Sequence, residues 1–324
     1  MGSKYRLLPH LERTFAEIGG TTAVDAFSGS GVVSYLLKAQ GFSVASNDFL
    51  NFPNIIARAT VANSSVRLES ELIDEICGPP LDDRDFIRST FDGLYFDAAD
   101  RAFLDSAWSH IARLRGYRRD LAISALVLSA ARKQPRGVFT FTDSTRYADG
   151  RRDLRMSLRD HFRLRAASEY NSTVFSNGRK HRSSCGDVFD LDVTPLFDAA
   201  PDLVYLDPPY APPTDDNDYI KRYHFLEGLS VYWEGMSIMR TPRPRSCRSG
   251  SPRSPTNGPS TTPWSAHSST SRTRARSCCP TRRTLCPAPT ASSTCWARSS
   301  RRSRSLRSTT STVSAPTPPR RVAT

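Results

Sequence analysis

Along residues 21–62 the spacing of apolar positions changes from strand-like to helical and back, twice over. Residues 22–27 form a short β-branched and apolar run, and residues 28–31 read as a turn. Residues 32–40 then carry Val33, Leu36 and Leu37 at helical spacing before Gly41 stops the helix. Residues 43–47 predict a second strand and residues 52–62 a second helix. Alternating strands and helices at this spacing predict an α/β fold with a parallel, doubly wound sheet.

Helical spacing without alternation follows, with helices expected over residues 66–76, 85–91, 98–115, 119–133 and 153–168. An apolar strand, residues 202–206, and a helix, residues 220–233, return to the first pattern. The simplest account is a sheet interrupted by a helical insertion: residues 1–64 and 183–240 form the two parts of one α/β domain, and residues 65–182 the insertion.

Charge sharpens these boundaries. The net charge of +13 over 324 residues suggests a polyanion partner, but it arises from one end of the chain. Residues 1–240 hold all 32 acidic residues against 29 basic ones, whereas residues 241–324 hold 16 arginines and no acid. Within the first part, residues 111–182 carry 17 basic and 6 acidic side chains. This local excess is what phosphate contacts would use, although a solvated charged face accounts for any single arginine.

Residues 241–324 contain no Asp, Glu, Lys, Gln, Ile, Phe, Tyr or Met, and consist mostly of Ser, Arg, Thr and Pro. Such a segment buries too little apolar area to offset its ordering entropy, which predicts a disordered basic tail. A shifted reading frame in GC-rich coding sequence gives the same composition, and is the reading preferred here. Two of the 7 cysteines, Cys77 and Cys185, precede the tail, and no Cys or His spacing fits a metal site. The start lacks a signal peptide and no apolar run is long enough to span a bilayer, so a soluble, cytoplasmic chain is expected.

Two motifs carry chemistry. Asp207-Pro208-Pro209-Tyr210 directly follows the strand at residues 202–206. An adenine amino group is a poor nucleophile because its lone pair is delocalised into the ring. The Asp207 carboxylate and the Pro208 carbonyl could accept its N–H bonds and hold it pyramidal, while the proline rings stiffen the turn. Tyr210 offers a flat face for a base swung out of a duplex. The second motif runs from Asp25 through Phe27, Ser28 and Gly29 to Gly31, with Asn47-Asp48 beyond it. Glycines at a strand end let backbone approach a ligand, and an acid at the end of the next strand suits ribose hydroxyls. The spacing is not GxGxxG and no phosphate-binding lysine follows, which favours a cofactor without phosphates.

On these residues the chain resembles the Dam-like, alpha-group DNA adenine methyltransferases, over residues 2 to about 235 and with motifs in the family's order. The resemblance implies a Rossmann-like fold using S-adenosylmethionine and acting on double-stranded DNA as a cytoplasmic monomer, either as an orphan methylase or paired functionally with a restriction endonuclease. Gly2-Ser3-Lys4-Tyr5 is similar to the amino-terminal motif whose lysine lies near cofactor and active site. Residues 27–31 resemble the cofactor glycine loop and Asp48 the ribose-binding acid. Cys185-Gly186-Asp187 resembles the element that bonds the cofactor's adenine amino group. Residues 207–210 match the catalytic motif, and the insertion would hold target recognition.

Several positions keep a second reading. Lys4 could be a solvated terminal charge, Asp187 a cap for the turn after it, and Asp25 an anchor for the glycine loop. Lys221, Arg222 and Tyr223 could reach phosphates or form a surface face, and residues 137–147 could contribute to base reading. Family members continue with strands that complete the sheet, and residues 241–324 have no pattern to supply them. An inactive remnant is therefore one alternative, and an RNA or protein amino-group methyltransferase is another. If the frame shifts, the codon-position GC bias of the gene should change near Arg240; an unchanged bias would overturn that reading.

Overall fold

The computed structural model describes residues 4–134, 137, 139, 152–209, 219–238, 247–248 and 295–298. Four strands form its parallel centre: β1 (Thr22–Asp25), β2 (Ser43–Asp48), β3 (Arg182–Cys185) and β4 (Leu203–Leu206), in the spatial order β3-β2-β1-β4. The mixed α/β architecture with this four-stranded parallel sheet fits a Rossmann-like methyltransferase.

The period-2 alternation of the strands explains the layers. Ala23, Val44, Leu203 and Tyr205 point to one face, where Leu11 and Phe15 of α1 (Leu8–Ile18) and Val33 and Leu37 of α2 (Val32–Ala39) cover them. Val24, Ala45, Val204 and Leu206 point to the other, where Val188, Leu191, Val193, Leu196 and Phe197 pack. On the first face, buried Lys38 of α2 donates to the carbonyls of Thr60 (3.2 Å) and Asn63 (2.8 Å). It thereby satisfies the carbonyl end of the π-helical segment Arg58–Ala62, which continues α3 (Asn51–Ala57). Burial pushes the Lys38 ammonium down to about 8.

The helical segment has no core of its own. Helices α4 (Ser70–Ile76), α5 (Phe86–Thr90), α6 (Ala98–Ile111) and α7 (Gly116–Arg132), then α8 (Arg152–Arg155), α9 (Leu158–Leu164) and α10 (Asn171–Thr173), precede β3. The apolar faces of α4, α5, α6, α7 and α9 share one cluster with Leu50, Phe52 and Ile56 around α3 and with Phe225, Leu226 and Leu229 of α11 (Tyr219–Val231). One core thus joins the helical segment to the helices that follow β2 and β4.

Buried carboxylates fix the joints. Asp105 on α6 accepts from the backbone N–H of Ile87 (3.0 Å) and Arg88 (2.9 Å) at the start of α5, and from the Tyr232 hydroxyl (2.8 Å). Asp100 accepts from the Leu158 N–H at the start of α9 (2.8 Å) and pairs with Lys133. Part of the basic excess over residues 111–182 is paired as well: Arg118 with Glu69, Arg163 with Asp74 and Arg165 with Glu169.

Two elements escape the periodicity reading. Helix α1 went unread, and β3 (Arg-Ser-Ser-Cys) has no apolar pattern because it flanks β2 alone among the described strands; its serines bond to polar neighbours instead, Ser183 to Asn54 (2.7 Å) and Ser184 to Asn47 (2.9 Å). Beyond residue 238 the structure describes β6 (Cys247–Arg248), antiparallel to β5 (Ser237–Ile238), and β7 (Cys295–Arg298), antiparallel to β4. The rest of the tail, with its expected disorder or frameshift, lies outside the described residues. Among the described residues no helix is long and apolar enough to cross a membrane. Replacing Asp105 with Ala would strand the buried Ile87 N–H; a loss of about 2 kcal/mol in urea-unfolding free energy is expected.

Candidate active site at the strand ends

Parallel pairing sets the chemistry of the carboxyl edge of the sheet. Asp25 ends β1 opposite Ser46, Asp48 ends β2 opposite Cys185, and Asp207 follows β4, whose Tyr205 lies opposite Asp25. Neighbouring strands lie about 4.8 Å apart, so three carboxylates converge on one rim. Lys4, just before α1, reaches across that rim and pairs with Asp207 (2.9 Å).

The glycine loop is wired to this edge. Gly29 (φ 51°) and Gly31 (φ 75°) take left-handed backbone that other residues rarely adopt, which turns the chain from β1 into α2. The Gly29 N–H donates to Asp48 Oδ2 (2.8 Å) and the Ser28 N–H to the Asn47 carbonyl (2.8 Å). The second Asp48 oxygen accepts from the Leu50 N–H (3.1 Å). Asn47 in turn donates to the carbonyl of Gly186 (3.1 Å), which stitches the loop after β3 to the same edge.

Asp25 is fully buried and accepts from the Ser34 hydroxyl of α2 (2.6 Å). Its carboxylate thus ties β1 to α2, and a backbone hydrogen bond from Phe27 supports it as well. Burial pushes this carboxyl up to about 7; the bonds from Ser34 and Phe27 oppose the rise, and the charges of Asp48 and Asp207 add to it. Burial likewise raises Asp48. The buried Ser28 hydroxyl has no hydrogen-bond partner among the described residues. An unpartnered hydroxyl beside a left-handed glycine loop marks a place where a polar ligand would complete the bonding.

Of the remaining sequence-predicted residues, Phe27 is half-buried in the loop and packs on the sheet's second face. Pro208 and Pro209 are exposed after β4, and Tyr210 lies outside the described residues. Asp187 caps the turn Val188–Asp190 by accepting from the Phe189 N–H (3.1 Å). Its capping role is therefore in place, at the end of the strand next to Asp48. Tyr223 forms no surface contact: it is buried, with its ring 5.7 Å from that of Phe52. Arg222 is exposed, and the Lys221 side chain and most of residues 137–147 lie outside the described set.

Pattern reading missed two aromatics. Phe49 and Phe189 are 55% and 94% exposed, immediately beyond Asp48 and within the turn that Asp187 caps. Single apolar residues outside a periodic run carry no signal in sequence; only their exposure at the rim distinguishes them.

A sheet of this kind, with a glycine loop and acids at its carboxyl edge, fits a Rossmann-like methyltransferase. Residues 1–86 match the family model of the D12 class N6 adenine-specific DNA methyltransferases, which supports the assignment to the Dam-like adenine methyltransferase family. The matched segment contains Lys4, Asp25, the glycine loop and Asp48, and ends before Asp207. No curated protein and no solved structure matches the chain.

Because Asp25 holds its proton well above the range of an unfolded aspartate, stability should fall as pH rises from about 4 to about 7. The native state binds the extra proton over that window, at up to about 1.4 kcal/mol per pH unit. Asp25→Asn should flatten this slope, as read from urea midpoints across pH; an unaltered slope would refute the assignment of the proton to Asp25.

Proposed function

We propose that this chain transfers a methyl group from S-adenosylmethionine to the exocyclic amino nitrogen of adenine in double-stranded DNA. The observation that carries this reading is the adjacency of β1 and β4, which sets the Asp207 turn beside the glycine loop. A donor in the loop and an acceptor on the turn would then be neighbours on one rim.

The residues present fit the cofactor. Asp48 would take the ribose hydroxyls, and the exposed rings of Phe49 and Phe189 offer apolar surface for a flat adenine, with Asp187 beside it. Ser28, whose buried hydroxyl has no partner among the described residues, has the need that a cationic, polar methionine moiety would meet, and the acidic Asp25 lies beside it. When bound, the cofactor supplies an electrophilic sulfonium methyl.

The protein's own part is positioning and electrostatics. Asp207 accepts an N–H bond from the target amino group and Pro208 offers its carbonyl for the other, so that the nitrogen lone pair points toward the methyl. Lys4 orients the Asp207 carboxylate through their ion pair. The amino proton lost after transfer leaves by way of Asp207. Tyr210 would stack on the extruded base.

Exposed arginines that make no close ion pair, such as Arg113 and Arg115, provide a basic surface on the helical segment for DNA phosphates. This favours a nucleic acid over a protein substrate, and the family match over residues 1–86 favours DNA. Restriction-modification is the natural setting for such an activity, with an endonuclease as functional partner.

Asp207→Ala should abolish labelled-methyl incorporation into adenine-containing duplex DNA while cofactor binding stays measurable by calorimetry. Transfer retained above roughly one per cent of wild type would exclude the acceptor role. Cofactor binding without any transfer by the unaltered chain would mark it as an inactive remnant.

A further inference from the structure

Helix α3 starts directly beyond Asp48 and Phe49, and it begins without a cap of its own: Leu50, at the capping position, makes no side-chain bond to the first turn. The open N–H groups there are satisfied from across the molecule. Glu227, buried on α11, accepts from the Asn51 N–H (2.9 Å) and the Asn51 side-chain amide (2.7 Å) through Oε1, and from the Phe52 N–H (3.2 Å) through Oε2. One helical turn earlier on the same face, Tyr223 packs its ring against Phe52.

These contacts form one continuous chain of bonds. Asp48 holds Gly29 with one oxygen and Leu50 with the other, Glu227 holds the next two residues, and α11 is the helix that follows the catalytic turn. The Cys185 thiol completes the collar, within 3.6 Å of the Phe49 carbonyl and 3.8 Å of the Asn51 side-chain oxygen. A carboxylate in so dry a position is costly unless its hydrogen bonds are met, and burial raises its pKa. The arrangement uses an expensive group where a local Ser or Asp cap at position 50 would have served the helix alone.

We propose that Glu227 is a positioning residue for methyl transfer: it locks the loop of Asp48 and Phe49 to α11, so that the cofactor-binding rim and the catalytic turn keep one geometry. This rests on the reading of the rim as a cofactor site. It differs from a purely structural cap in requiring that cofactor affinity, and not only stability, depends on Glu227.

The test compares wild type, Glu227→Ala and Glu227→Gln as full chains, well below their melting midpoints. Hydrogen exchange at the amides of Asn51 and Phe52 reports the clamp without any ligand. Calorimetry with S-adenosylmethionine and single-turnover methyl transfer report its function. In Glu227→Ala, exchange at both amides should rise and the cofactor dissociation constant should increase about tenfold. Glu227→Gln keeps the Oε1 acceptor for Asn51 and should recover most of the affinity, which also serves if the alanine variant does not fold. Unchanged exchange at Asn51 and Phe52 overturns the clamp. Raised exchange with an affinity within about twofold of wild type leaves only a structural cap and overturns the positioning role. A wild-type chain that takes up no cofactor overturns the reading of the rim, and the positioning role with it.

Discussion

Parallel hydrogen bonding of β1 to β2 on one side and to β4 on the other is the constraint on which the site depends. In a parallel sheet every strand delivers its carboxyl end to the same edge, so acids far apart in sequence meet there: Asp25, Asp48 and Asp207. Like charges at such spacing repel, and the structure answers in three ways. Lys4 neutralises Asp207, backbone N–H groups of Gly29 and Leu50 satisfy Asp48, and burial favours the protonated form of Asp25.

This electrostatic arrangement suits a cationic ligand. A sulfonium carrying an ammonium group would enter a rim rich in acids, and burial of Asp25 leaves its carboxyl more easily protonated than a free one. The glycine loop contributes close backbone approach rather than charge, in keeping with a ligand that has no phosphates to cradle. The family match over residues 1–86 covers the glycine loop, Asp25 and Asp48, while the Asp207 turn comes from beyond it, on the adjoining strand.

The helical segment depends on the same edge. Its apolar core includes residues of α3 and α11, the helices that follow Asp48 and the Asp207 turn. Carboxylates on one element satisfy the amino-terminal N–H groups of another: Asp105 for α5, Asp100 for α9, Glu227 for α3. Such long-range caps replace local ones at α5 and α3, add to the local Ser157 cap at α9, and tie the helical segment's geometry to the rim. Some of its arginines, Arg118, Arg163 and Arg165 among them, pair with neighbouring carboxylates instead.

By itself the sequence determined the alternation of elements from β1 to α3 and the glycine turn, and it singled out Asp25, Asp48 and the Asp-Pro-Pro turn as candidates, because each is a local pattern of period, turn residue or short motif. It could not yield β3, whose polar Arg-Ser-Ser-Cys run is a strand only because β2 offers it hydrogen bonds. Nor could it assign Lys4 to Asp207, Ser34 to Asp25 or Glu227 to α3, pairings that span from 9 to 203 residues of chain. Tyr223 was open to a surface role until packing buried it, and Phe49 and Phe189 were unremarkable until packing left them bare. Burial and pairing belong to the assembled sheet and core, since which side chains lose water, and which charges meet, is decided by neighbours that the order of residues does not name.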